Sequence, residues 1–263
     1  MLADWNLPPG VSRGLWDYAH DTELARQYDQ LLTGTPLLTI DVAFAARHFV
    51  APGRLLDLGC GTGRFSEILA AEFGARIIGF DPSESMIDQA RQKSATGMIE
   101  FERGSAHELP LADGCVDLVF MSQVYHHLPD PVAVARECRR LLRAGGYVCL
   151  RTATHENDVV IPRFFPAVRA MLDADLPSAD DISSNFVAAG FAAEHHAIIT
   201  EIVAPDWPGF VRKSALRADS FLARLSDSEF NRGMAALRAR VGEINPNEAV
   251  TEEIDWFVFT KRA

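Results

Sequence analysis

"LLDLGCGTGRFSEIL", residues 55–69, sets Gly59, Gly61 and Gly63 at alternate positions behind an apolar run that contains a single acid, Asp57. "RLLDLG" reads as a short buried strand, the glycines as a tight turn, and "RFSEILAAEFG" as a helix closed by Gly74. A glycine turn at a helix N-terminus holds something anionic or nucleotide-like. A phosphate loop needs GxxxxGK[ST], and no lysine follows these glycines. A dinucleotide fold wants GxGxxG, and Arg64 stands where the third fingerprint glycine belongs. The acid discriminates further. Asp57, two residues before the first glycine, is expected to aim its carboxylate into the turn, where it repels a pyrophosphate and favours an ammonium or sulfonium.

The next apolar run, "RIIGFD", ends in Asp81, 24 residues after Asp57. An acid at that place accepts both hydroxyls of a ribose, as in dinucleotide folds. A ribose, no pyrophosphate and a positive charge near the glycines is the combination that S-adenosylmethionine offers.

Working outward, "SESMIDQARQKSA" is a helix opened by a serine cap with Glu84 in its first turn, and "IEFERGSA" is a third strand. "CVDLVFMSQ" is a central buried strand, "DPVAVARECRRLLRAGG" a helix with proline near its start and Gly-Gly after its end, and "YVCLRTAT" a fifth strand. The βαβαβ…βαβ order over residues 54–154 predicts an α/β fold, a doubly wound parallel sheet with right-handed crossovers. Beyond it, residues 162–175 and "SADDISSNFVAAGF" read as helices, "AEHHAIITEIV" as a strand, residues 208–241 as two helices, and "EEIDWFVFTKR" as a final strand. The expected organisation is one domain, 1–263: a helical lid at 1–50, a cofactor-binding core at 51–154, and cap helices with the last two strands at 155–263.

A net charge of −11 argues against a nucleic-acid partner, because neutralising phosphates needs clustered Lys and Arg. Hydrophobic residues at 48% are ample for a core. Cys60, Cys115, Cys138 and Cys149 show neither a CxxC pair nor metal-ligand spacing, so no metal is expected and a reducing compartment is. The N-terminus lacks a secretory pattern and no apolar run reaches membrane-span length, giving the expectation of a cytoplasmic protein away from membranes, monomer or homodimer, with a small-molecule partner.

"LLDLGCGTG", "GFDPSESMI", "ELPLADGCVDLVFMSQVYHHLPDP" and "RRLLRAGGYVCL", in this order over about residues 53–152, resemble the class I S-adenosylmethionine-dependent methyltransferases of the small-molecule group. The resemblance implies a Rossmann-like sheet of seven strands, mainly parallel with the last antiparallel, with S-adenosyl-L-methionine as cofactor and S-adenosyl-L-homocysteine as product. By motif, Asp57, Gly59, Gly61 and Gly63, with Cys60 among them, would line the methionyl end. Asp81 would hold the ribose, with Pro82, Ser83 and Met86 beside the adenine. Ser105 and Ala106 would meet the adenine edge, Ser122 and Gln123 would close the methionine side, and Tyr28 on the N-terminal helix would fold over the cofactor. Ser105 is a departure, since the family often carries an acid there; a serine hydroxyl accepts the same hydrogen bond more weakly.

Methyl transfer is an in-line displacement in which the protein orients the nucleophile and excludes water; a base matters only when the nucleophile must lose a proton. "SQVYHHLPDP" follows the fourth strand, at the edge where open α/β sheets bind ligands, which makes Tyr125, His126 and His127 the catalytic candidates. Neighbours on a loop point apart, so one of the two histidines is expected to face substrate. His155 and Asn157 rank second, Arg151 and Arg163 suit an acidic acceptor, and His195 and His196 read as remote. Phe164, Phe165, Met171, Trp207, Phe210 and Phe221 suggest an apolar pocket or the core of a cap. The resulting expectation is methyl transfer to an oxygen or nitrogen of a small organic acceptor, with carbon and sulfur left open. Its alternatives are a cofactor-binding sensor or scaffold without methyl transfer, another use of the sulfonium such as cyclisation, and a nicotinamide-dependent oxidoreductase.

Overall fold

The computed structural model describes residues 53–93, 97–243 and 245–262. β1 (Arg54–Leu58) has four consecutive buried residues after Arg54, the mark of a strand covered on both faces. The glycine turn leads into α1 (Arg64–Phe73), then β2 (Arg76–Asp81), α2 (Glu84–Lys93) and β3 (Ile99–Arg103). After a loop come β4 (Val116–Ser122), a short 3₁₀ turn (Tyr125–His127), α3 (Pro131–Leu141) and β5 (Leu142–Thr152). The second half holds α4 (Ile161–Phe164), α5 (Pro166–Asp175), α6 (Ala179–Ala188), β6 (Phe191–Ala204), α7 (Trp207–Ala215), a 3₁₀ turn (Leu222–Arg224), α8 (Asp227–Val241) and β7 (Val250–Lys261).

The sheet has seven strands in the order β3-β2-β1-β4-β5-β7-β6. β1 to β5 pair in parallel, and β7 runs antiparallel to both β5 and β6. This is the doubly wound, mainly parallel α/β architecture expected. Chain order reverses between β1 and β4, so the ligand crevice falls outside their carboxyl ends. One face of the sheet packs Leu56, Val119, Val148 and Phe257 under α3 and α6; the other packs Leu55, Phe120, Cys149 and Trp256 under α1 and α2. A third cluster, with Phe165, Phe210, Leu222 and Leu237, fills the cap.

One helix differs from expectation. The segment at 162–175 is two helices, because Pro166 lacks a donor and disfavours helical backbone before it; Phe165 sits at φ −122°, ψ 77°. Elsewhere local signals hold: Asp130 caps α3 by accepting from the Ala133 N–H, and Ser178 and Ser226 form reciprocal caps on α6 and α8. Among the described residues no helix is long and apolar enough to cross a membrane.

Candidate active site

The glycine turn is tied to the end of β2. The N–H groups of Gly59 and Cys60 both donate to the Phe80 carbonyl, at 2.7 and 3.0 Å. Gly59, Gly61 and Gly63 all have left-handed φ, 75°, 53° and 79°. Their surroundings differ. A Cβ on Gly59 would lie 2.2 Å from a Val124 methyl carbon, and one on Gly63 2.5 Å from the Phe101 ring. A Cβ on Gly61 would meet nothing within 4 Å, so this glycine turns its bare backbone to open space. Cys60 contributes backbone alone: its side chain packs with Leu55, Ile77 and Phe101, and burial pushes its thiol pKa up.

Asp57 lies beneath the turn rather than projecting into it. It is 2% exposed and accepts a 2.5 Å hydrogen bond from Ser66 Oγ in α1. Burial, with a smaller contribution from the nearby Asp81, pushes its pKa up to about 7 against the Ser66 bond. Asp81 stands at the open side. Its carboxylate accepts the Gly61 N–H at 3.0 Å and the Ser83 N–H at 2.8 Å, and burial still pushes its pKa up to about 6. A carboxylate held on the backbone of a glycine with free space above it suits a ribose with its two hydroxyls. The residues therefore fit S-adenosylmethionine, whose ribose hydroxyls Asp81 would accept from.

A pH dependence follows. The raised pKa of Asp81 means that it must lose its proton to accept from ribose. Binding of S-adenosylhomocysteine should be constant above pH 7 and weaken as pH falls below 6, by up to about tenfold per unit. Calorimetric titration between pH 5 and 8 checks this, and a flat profile would count against the assignment.

Around Asp81 the other motif residues are largely self-bonded. The Pro82 carbonyl accepts from Arg103 Nε, and Ser83 Oγ is 2.9 Å from Ser85 Oγ. Met86 is buried, and its N–H donates to Ser83 Oγ at 3.4 Å. Ser105 Oγ accepts the His107 N–H at 3.4 Å, and Ala106 packs on the core. Tyr28 and the lid at 1–50 lie outside the described residues.

Ser122, Gln123, His126 and His127 are brought together on the wall of a cavity of about 250 Å³. Gln123 holds φ 56°, uncommon for a side-chain-bearing residue and a feature of functional sites. Its N–H donates to the Arg151 carbonyl and its Oε1 accepts from the Ala153 N–H, pinning β4 to β5. Both histidines line the cavity, where one was expected: the 3₁₀ turn brings their rings together, tilted by 51° with centroids 4.1 Å apart. Burial lowers the pKa of His127 to about 4, and burial with the neighbouring His127 holds His126 well below its ordinary value. Both are neutral at pH 7. His126 Nδ1 is buried without a hydrogen-bond partner among the described residues.

Tyr125 departs from expectation. It is 3% exposed in the core, its ring stacks on Phe186, and Asn185 Nδ2 donates to its hydroxyl at 2.8 Å. The turn that puts both histidines outward sends Tyr125 inward. Tyr125→Phe should cost about 1 kcal/mol of stability and leave S-adenosylhomocysteine binding unchanged, read by urea unfolding and calorimetry.

The far walls of the cavity are Val159, Ile161, Val168, Leu172, Val203, Phe210 and Phe221 from the cap. Of the six cap residues singled out from sequence, Phe210 and Phe221 line it, while Phe164, Phe165, Met171 and Trp207 pack in the cap core. Arg151 also lines it but pairs with Glu201 and donates to Ser122 Oγ at 3.0 Å, so it is committed rather than open to an acidic acceptor. Arg163 bonds Asp158 at the surface, Asn157 and Thr154 donate to buried Asp255, and His196 Nε2 is 2.5 Å from the same carboxylate. Sequence reasoning missed Glu201, Lys213, Asp219 and Glu252, which line the cavity. Each looks like an ordinary surface residue in its segment, and strand alternation is the one signal that could have paired Glu201 with Glu252.

Residues 56–150 match the family model described as a methyltransferase domain. An uncharacterized methyltransferase of Mycobacterium ulcerans is 39% identical over 127 residues, 48% of this chain and 49% of that protein. The chain thus spans about half the length of this curated relative. Among solved structures, phosphoethanolamine N-methyltransferase 2 of Haemonchus contortus, in complex with S-adenosyl-L-methionine, superposes with a TM-score of 0.61 at 18% identity, covering 98% of this chain and 62% of that one. The [4+2]-cyclase SpnF superposes at 0.58 with 19% identity over 85% of this chain and 81% of its own, so the shared fold does not by itself specify a reaction. From within β1 to within β5 the chain is thus similar to a methyltransferase domain.

Proposed function

We propose that the protein transfers a methyl group from S-adenosylmethionine to a nucleophilic oxygen or nitrogen of a small organic acceptor. The observation that carries this reading is continuity. The glycine turn packs against Val124, and Gln123 just before it and His126 two residues after it line a cavity under the cap. Cofactor site and acceptor space therefore meet at the carboxyl end of β4.

When bound, the cofactor supplies an electrophilic methyl on a sulfonium. Asp81 accepts from the ribose, Gly61 leaves its backbone bare, and Ser122 and Gln123 border the side where the acceptor arrives. His126 and His127, neutral at pH 7, accept a hydrogen bond from an acceptor hydroxyl or amine. The cap's aliphatic and aromatic side chains keep water out.

Calorimetry with S-adenosylhomocysteine and with a nicotinamide dinucleotide, followed by labelled-methyl transfer to amines, alcohols and phenols, tests the proposal. Binding of the dinucleotide without the homocysteine compound would overturn it. Homocysteine binding without transfer to any of the three acceptor classes would favour a binding-only role.

A further inference from the structure

The cavity has an apolar flank and a charged far end, and that end is costly to build. Glu201 on β6 and Glu252 on β7 are direct cross-strand partners, a like-charge pair that destabilises a sheet. Arg151 offsets one of them, pairing with Glu201. Glu252 has no ion pair among the described residues: its Oε1 accepts the Val160 N–H at 2.9 Å, and the residue lines the cavity near Lys213. Asp219 also lines this end, held by the N–H groups of Phe221 and Leu222 at 2.9 and 3.0 Å. Among the described residues Lys213 is the one further lining cation; its ammonium donates to the Val203 carbonyl at 2.9 Å rather than closing on any of the three carboxylates. Arg64 lies near Lys213 without lining the cavity. Three lining carboxylates thus face two lining cations, one of which is spent on Glu201.

Register places Glu252 beyond the carboxyl end of β5. Ser122 pairs with Arg151, and Arg151 with Trp256, while Glu252 is four residues further along β7. At strand spacing that is about 13 Å beyond the level of Ser122. The apolar wall of Val159, Val203 and Phe210 belongs to the same cavity.

We infer that Glu252 is a specificity-determining residue that seats an ammonium group of the acceptor, an elongated amine whose apolar body lies along the cap wall and whose reacting atom is at the other end, beside His126 and His127. This deepens the proposed function and rests on it only for the reaction at the histidine end. The missing positive charge is the ligand's. Burial, opposed by the Val160 bond and the nearby Lys213 charge and reinforced by the charges of Asp219 and Glu201, pushes the Glu252 pKa up to about 7, so the carboxylate form predominates at pH 8. Placing recognition remote from the transferred methyl lets binding energy orient the acceptor without protonating its nucleophile.

The test uses n-octylamine, n-octanol and n-octanoate as probes, titrated calorimetrically into the full chain at pH 8. Octylamine should bind at least tenfold tighter than the alcohol or the carboxylate. Glu252→Gln should bring amine and alcohol within about threefold, with S-adenosylhomocysteine affinity unchanged. Should that variant not fold, Lys213→Met provides the second arm and should tighten octylamine by removing a competing cation. Equal binding of amine and alcohol, tighter binding of octanoate, no octylamine binding, or a preference that survives Glu252→Gln would each overturn the inference. Amine preference without homocysteine binding would instead sink the methyl-transfer reading and leave the subsite standing.

Discussion

Replacing Asp81 with alanine is expected to weaken S-adenosylhomocysteine binding roughly 100-fold or more while leaving the protein folded. Two charge-assisted hydrogen bonds to ribose hydroxyls account for that scale, about 1.5–3 kcal/mol each. The protein keeps its fold because the carboxylate is costly in the free state. Its folded pKa, about 6, lies above its ordinary value of 3.8, so its contribution to stability is present below pH 4 and lost as pH rises through 6. Asp81→Ala removes that loss, though it strands the Gly61 and Ser83 N–H groups that the carboxylate accepts. Asp81→Asn keeps the shape and should fall between wild type and alanine in affinity. Calorimetry for binding and urea unfolding at pH 4 and 7 for stability separate the effects. Wild-type affinity in the alanine variant would remove Asp81 from the site.

Gly59→Ala should have the largest effect on the fold. The new Cβ meets Val124 at 2.2 Å and the residue must hold φ 75°. Left-handed strain and overpacking together amount to about 2–4 kcal/mol, or roughly 5–15 °C in Tm. Gly61→Ala is the informative contrast. Its φ is also left-handed, but the space around it is open, so about 1–2 kcal/mol of backbone strain is the main stability cost while the methyl fills the ligand's place. Thermal unfolding should rank Gly59→Ala as the less stable variant, and homocysteine binding should fall strongly in Gly61→Ala even where it is folded. Equal Tm values for the two would contradict this division of labour between the glycines.

How far these features could be read from the chain follows from how local they are. β1, the glycine turn and α1 are contiguous, and the ribose acid is the last residue of the next strand. Steric limits on φ, strand burial and charge then act within about 25 residues, and the strand, the glycine turn and the acid that ends β2 were legible. Even there, packing altered the detail: Ser66 draws Asp57 under the turn, and Cys60 turns its thiol into the core. Tyr125, His126 and His127 show the limit. Adjacent positions say that side chains diverge, but a 3₁₀ turn packed on Phe186 is what sends the tyrosine in and both histidines out.

The acceptor half was hidden for a physical reason. Glu201, Lys213, Asp219 and Glu252 come from two strands, a helix and a loop, and in sequence each is an ordinary polar residue of its segment. Antiparallel insertion of β7 between β5 and β6 sets Glu201 opposite Glu252, and folding the cap over them turns would-be surface charges into the lining of a cavity. Backbone sterics and short-range charge were enough to shape the glycine turn and set Asp81 against it. The charge at the far end of the acceptor cavity exists only through pairings between residues some 50 to 100 positions apart, which sheet order and burial bring together.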